Sequence, residues 1–194
     1  AWRVVAKFAA DGQLSLNQKK TWEGAAWRLC GERAPDFYLE ILGPMLKSIA
    51  DIKEQNRFWN AAFKRFADTR PDLAASIRMV QAQMWLDANE PNSAGQCYDD
   101  VINRYANAGP FVVTALRKGE QMVRTNNGDV RRIVEAYENA WAKIDKPQDM
   151  APEFARQSNY YRVGKLYAQK LDEVGRSSDA AKVRAAIGET KAGK

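Results

Sequence analysis

Histidine is absent from all 194 positions, and that single count closes most routes to catalysis. It removes Ser-His-Asp and Cys-His nucleophilic arrangements, histidine metal sites and the usual general base near neutral pH. Carboxylates, lysine, tyrosine or a cofactor would have to carry any reaction. The two cysteines, Cys30 and Cys97, lie in helix-type sequence with apolar neighbours in register, so they read as small buried thiols. Whether they pair with each other stays open, and neither zinc spacing nor a C-x-x-C motif is present. Asp99 and Asp100 form the most conspicuous carboxylate pair. A glycosidase needs its two acids on opposite sides of a sugar, about 5 to 10 Å apart. Adjacent residues next to Tyr98 point away from its apolar stripe and read as a solvated edge. Asn126-Asn127-Gly128-Asp129 is a turn followed by a helix cap, and nothing resembles the phosphate-cradling G-x-x-x-x-G-K-[ST] loop. The chain is therefore read as a non-enzyme without catalytic residues, metal ligands or cofactor.

Binding chemistry is less restricted. A net charge of +6 and a pI near 9.3 raise the possibility of contact with nucleic acid or another anionic surface. The basic pairs Lys19-Lys20, Lys64-Arg65, Arg117-Lys118 and Arg131-Arg132 are, however, interspersed with Asp51, Glu54, Glu135 and Glu138. That mixture reads as salt-bridged helix faces, and nucleic acid is not favoured. Most of the tryptophans and tyrosines keep helical spacing with Leu, Ile and Val, as a buried seam does. Trp2, Trp27 and Trp85 fit their stripes least well and are the aromatics to inspect for ligand contact.

The elements that must position these residues are helices. Cys97, Tyr98, Val101, Ile102 and Tyr105 fall on one helical face, with caps at Asn92 and Ser93 and a stop at Gly109-Pro110. Val130, Ile133, Val134, Tyr137, Trp141 and Ile144 repeat the design, started by Asp129 and ended by Lys146-Pro147. A third stripe, Trp22, Ala25, Ala26, Leu29 and Cys30, follows Ser15 and Gln18 at capping-box spacing and closes at Gly31. Further helices are expected over Pro35 to Asp51 with a kink or break at Gly43-Pro44, and over Ile52 to Ala67. Others are expected over Pro71 to Ala88 with Leu73, Ile77, Val80 and Met84 inward, over Phe111 to Val123, Pro152 to Val174, and Ser178 to Ile187. Strand signals are absent, and no run approaches the roughly 18 apolar residues of a membrane span. Short loops make consecutive helices antiparallel neighbours.

Superposing successive second helices places Ala94 on Ile133 and Tyr98 on Tyr137, a period of 39, and Ile133 on Ala180, a period of 47. With a small residue early in the second helix and an aromatic four positions on, as in Ala94 and Tyr98, residues 71–188 resemble the tetratricopeptide repeat. Ile133-Tyr137 keeps only the aromatic and Ala180-Arg184 only the small residue; the family's tryptophan, glycine and closing proline are not in register. The resemblance implies an all-α array of antiparallel helical hairpins, an α-α superhelix. It also implies a scaffold or adaptor whose groove, lined by the first helix of each hairpin, binds a protein or peptide. Carried onto this chain, the groove candidates are Arg78, Gln83, Asp87, Lys118, Arg162, Lys165 and Gln169, with Trp85 beside them.

The whole chain is expected to be one helical-repeat domain: N-terminal helices over 1–70, repeat-like hairpins over 71–188 and a frayed tail over 189–194. It opens on Ala1 and Trp2 with neither an initiator Met nor a signal-peptide pattern, and so reads as a mature or excised fragment. Were the chain a purely structural segment of a larger protein or enzyme, residues Trp2 to Ala10 would form its docking helix. A structural segment of a larger protein is the remaining alternative to an adaptor. Compartment, oligomeric state and partner identity are not encoded in any recognisable signal.

Overall fold

Prolines and capping side chains set where the helices begin. In the computed structural model, which describes residues 14–148 and 152–189 and only the backbone of Pro152, ten α-helices and one π-helical segment follow one another without a strand among the described residues. They are α1 (Leu16–Ala26), the π segment Trp27–Gly31, α2 (Pro35–Lys47), α3 (Ile52–Phe66), α4 (Pro71–Asp87), α5 (Pro91–Arg104), α6 (Phe111–Thr125), α7 (Val130–Lys143), α8 (Pro152–Ala155), α9 (Asn159–Glu173) and α10 (Ser177–Ala186). The all-α class expected from the periodicity is what the chain adopts. The docking helix expected over Trp2 to Ala10 and the tail from residue 190 lie outside the described residues.

The chain divides into two compact units, residues 1–65 and 66–194. In the first, the expected capping box is formed: Ser15 accepts from the Gln18 N–H, and Gln18 Oε1 accepts from the Ser15 N–H at 2.8 Å. Lys19, 4% exposed, donates from Nζ to the Ser48 carbonyl at 3.2 Å, placing a cation on the carbonyl end of α2. Tyr38, Leu42, Met45 and Leu46 are each 1% exposed or less and form the centre of this unit.

One expectation is narrowed here and another fails. Of the kink or break expected at Gly43-Pro44, the break does not occur: α2 continues through Pro44 to Lys47. Pro44 forfeits its hydrogen bond only one turn before the helix end, where burial of Met45 and Leu46 on the same turn holds the conformation. Leu29, assigned to a buried stripe, is 59% exposed, because the backbone widens into the π segment at Trp27 and shifts the following residues off the α-helical phase.

In the second unit, α10 ends at Gly188 (φ 76°) with Glu189 donating to the Arg184 carbonyl at 2.8 Å, and three earlier helices end in the same way and turn into a following helix. Asn89, Asn127 and Gly175 adopt positive φ (58°, 50° and 78°) just past α4, α6 and α9. The next residue then donates its N–H back to a carbonyl of the last turn, Glu90 to Trp85, Gly128 to Val123 and Arg176 to Leu171, each at 2.8 Å. This left-handed turn satisfies otherwise orphaned carbonyls and reverses the chain into the following helix. The three turn residues are 38 and 48 positions apart, counting from 89 to 127 and from 127 to 175. The longer interval comes from residues 144–158, which connect α7 to α9 by way of the short α8.

Contacts along the seams fix the helix directions. Glu120 of α6 meets Lys170 of α9 at 2.8 Å, and Arg124 meets Glu173 at 2.6 Å, so numbers rise together and these two helices run the same way. The same holds for α5 and α7, where Asn103 accepts from Lys143 Nζ at 2.7 Å and Asn107 accepts from the Asp145 N–H at 2.9 Å. Against α9, α7 runs oppositely: Trp141 lies on Tyr160, whereas the earlier Glu138 reaches the later Tyr167. α4 packs on α6 and α6 on α9; α5 packs on α7; and each of these first helices packs on the helix that follows it. The unit is thus two layers, with α4, α6 and α9 in one and α5 and α7 in the other, and α10 packs on α9.

Between the layers lie Ile77, Val101, Val112, Leu116, Tyr137, Val163 and Leu171, each 2% exposed or less. Fully buried aliphatics of this size contribute about 1.5 to 3 kcal/mol each. Alanines with no exposed surface, such as Ala94, Ala115 and Ala140, let the helices approach closely. Two further expectations are corrected in this unit. Val80, assigned to the core of α4, is 43% exposed on the side away from α5. The single helix expected over Pro152 to Val174 is two, because Ser158 accepts from the Tyr161 N–H and starts a new helix at Asn159.

Candidate interaction face

A helix packed against a second layer keeps its far edge for solvent. For α4 that edge carries Val80, Gln83 and Asp87; for α6 it carries Thr114, Arg117, Lys118 and Gln121; for α9 it carries Arg162, Lys165 and Gln169, all exposed. Because the three helices are consecutive in one layer, their outward edges lie side by side.

Six of the residues singled out from the sequence, Gln83, Asp87, Lys118, Arg162, Lys165 and Gln169, fall on this face. Gln83 donates to Asp87 at 2.7 Å within α4, and Lys165 is 3.5 Å from Glu189 while half exposed. The other two do not join them. Arg78 turns toward α5 and pairs with Asp100 at 2.8 Å, and Trp85, half-buried, sits on that same side of α4. Of the two adjacent aspartates, Asp100 is therefore engaged and Asp99 is exposed. Arg117 and Gln121 are exposed and belong to the face but were not singled out; the phase of Val112, Val113 and Leu116 turns Gln121 away from the buried stripe, whereas Arg117, one turn after Val113, lies at its flank.

The seam beneath the face is electrostatically closed. Burial pushes the Glu120 carboxyl up, but hydrogen bonds from Lys170, Arg124 and Tyr137 outweigh it and hold it below the ordinary carboxylate value. Lys170 is buried enough to favour loss of its proton, yet its bonds to Glu120 and Glu173 keep its pKa above the usual lysine value. The Tyr137 hydroxyl donates to Glu120 at 3.0 Å, and burial first, then the Glu120 charge, push that phenol up. At the other side of α9, Asp172 pairs with Arg184 and the Tyr161 hydroxyl donates to Glu189 at 2.7 Å.

In the first unit, the most connected cluster joins Glu23, Tyr38 and Arg65. Tyr38 donates to Glu23 at 2.6 Å, Arg65 donates to the Tyr38 oxygen at 2.7 Å and pairs with Glu23, and its guanidinium lies 4.6 Å from the Trp27 ring centroid. Trp27 is thereby committed to the packing of this unit. The adjacent void, lined by Trp22, Ala26, Ile41, Leu42 and Met45, has a volume of about 10 Å³, which leaves room for one water at most. No group of three or more potential metal-ligating side chains occurs among the described residues. No helix among them is long and apolar enough to cross a membrane.

Comparison with protein-family models, with curated proteins and with solved structures finds no match to this chain.

Proposed function

We propose that the second unit is a non-catalytic interaction scaffold of the tetratricopeptide-repeat type, and that a protein or peptide partner seats on the outward face of α4, α6 and α9. The observation carrying this reading is the recurrence of one left-handed turn, at Asn89, Asn127 and Gly175, after helices that lie in the same layer. Each turn closes a helix pair, and stacking such pairs lays equivalent edges in a row, which is how solenoids create an extended recognition surface. The edges offer amides and charges at Gln83, Lys118, Gln121, Arg162 and Gln169 to a partner, while the apolar surface of the same helices is buried between the layers.

Site-specific photo-crosslinking in lysate of the source cells tests this. A photoreactive residue at Lys118 or Gln169 is expected to capture a defined protein, whereas one at Arg132, exposed on α7 in the other layer, is not. Equal capture from all three positions, or capture from Arg132 alone, would overturn the assignment.

A further inference from the structure

We infer that the partner segment is acidic, and that it lies along α6 and α9 against Arg117, Lys118, Arg162 and Lys165; this rests on the reading of that face as the binding surface. α6 and α9 contain three acids between them, Glu120, Asp172 and Glu173. All three are consumed in ion pairs: Glu120 with Arg124 and Lys170, Glu173 with the same two cations, and Asp172 with Arg184. Their remaining cations are Arg117, Lys118, Arg162 and Lys165. Among the described residues, no acid lies within ion-pairing distance of the first three, and Lys165 reaches only Glu189, at 3.5 Å.

The other layer does not share this bias. The exposed side of α7 alternates signs, with Arg131 and Arg132 followed by Glu135 and Glu138. A strip in which Arg117, Lys118 and Arg162 are uncompensated raises the local concentration of anions and rejects cationic partners.

The remaining exposed residues say which anion. Gln121 and Gln169 are exposed at the C-terminal end of the two outward edges, and each amide offers both a donor and an acceptor to an extended peptide backbone. No aromatic side chain is exposed on either edge; Tyr160 is held against Trp141, and Tyr161 is bonded to Glu189. Single-stranded nucleic acid binds through such stacking platforms, so it has little to grip here. Nor do these edges carry the large apolar side chains that insert into a lipid interface. The exposed Leu29 and Phe154 belong to other elements.

Fluorescence anisotropy with a labelled oligoglutamate peptide of extended length, at low and moderate salt, tests the inference on the full chain. Saturable binding that weakens with salt is expected, and Lys118→Glu with Arg162→Glu is expected to weaken it by about tenfold or more. The conservative pair Lys118→Arg and Arg162→Lys should keep it, with circular dichroism confirming unchanged helix content in both variants. Arg131→Glu with Arg132→Glu on α7 serves as the matched charge control. Loss of affinity in the control equal to that in the α6–α9 variant would overturn the inference, as would tighter binding of oligouridylate RNA or of phosphatidylserine vesicles than of oligoglutamate. Crosslinking through Gln169 to a partner, with no oligoglutamate binding, would leave the face as a binding surface and refute its acidic preference.

Discussion

Lys170 of α9 and Glu120 of α6 meet at 2.8 Å with side chains 11% and 14% exposed, and this pair ties together two helices that are 50 positions apart in sequence. Removing the cation by Lys170→Met leaves the carboxylate half-shielded with fewer donors. The expected cost is about 1 to 3 kcal/mol, measured by urea unfolding. The pH dependence follows from the sign of the carboxyl shift. A carboxyl whose pKa is lower folded than unfolded adds stability above its unfolded value, about 4.3, and that stability is lost as pH falls through the folded value. Below about pH 4.3 the parent chain should therefore lose stability more steeply than Glu120→Gln. Parallel curves would show that this carboxylate contributes nothing to acid sensitivity.

Gly164 has no room for a side chain. A Cβ there would stand 2.7 Å from both the Trp141 indole nitrogen and the Ile187 side chain. Gly164→Ala should destabilise by about 1 to 3 kcal/mol, because the indole is also held by its bond to the Tyr160 carbonyl at 3.1 Å. Gly119, in α6, would meet nothing within 4 Å, so Gly119→Ala should instead gain up to about 1 kcal/mol. Melting temperatures shifting in the same direction for both variants would contradict this account.

Tyr38 is fully buried, and its hydroxyl stands between Glu23 and Arg65. Tyr38→Phe keeps the ring against Trp27 and deletes only that link, with an expected loss of about 1 to 3 kcal/mol. Tyr161→Phe removes a more accessible hydroxyl bonded to Glu189 and should cost less than about 1 kcal/mol. Chemical denaturation of the two variants side by side decides between them; equal losses would mean that the Tyr38 hydroxyl is no better placed than a surface one.

Cys97 is buried, and burial pushes its thiol up to about 11. Since the thiolate is the reactive form, alkylation by iodoacetamide at neutral pH should be slow in the native chain and rapid in denaturant. Mass spectrometry after short exposures measures the ratio. Prompt labelling of Cys97 without denaturant would place it at the surface.

Periodicity and capping chemistry carried much of the fold into the sequence. The Ser15–Gln18 box, Asp129 as a cap and the stripe from Ile133 through Tyr137 to Ile144 are all where their residue types put them. What periodicity leaves open is how wide each buried stripe is, since that depends on how many neighbours a helix acquires. Val80 and Arg78 exchanged their expected environments for that reason: α5 covers the side of α4 bearing Arg78, and nothing within α4 itself marks that side. The break before Asn159 had a signal in Ser158, a preferred cap residue, but the continuous apolar spacing around it masks that signal until its hydroxyl is seen to accept from Tyr161. Of the interaction face, Lys118 and Gln121 on α6 and the positions on α9 could be read from phase, but Arg117, one turn after buried Val113, could not. Their lack of compensating acids could not, because Asp172 and Glu173 look available until Arg184, Arg124 and Lys170 are seen to occupy them.

One amide settles a matter of timing. Asn159 donates from Nδ2 to the carbonyls of Ala106 and Gly109, at 3.0 and 2.6 Å, and so finishes a loop made fifty residues earlier. During synthesis the ribosome delivers that loop well before the side chain that completes it. Residues 106–109 must then wait, with their carbonyls hydrated, until α9 emerges and docks. In hydrogen-exchange experiments their protection should rise and fall with that of α9 and not with that of α5, which immediately precedes them.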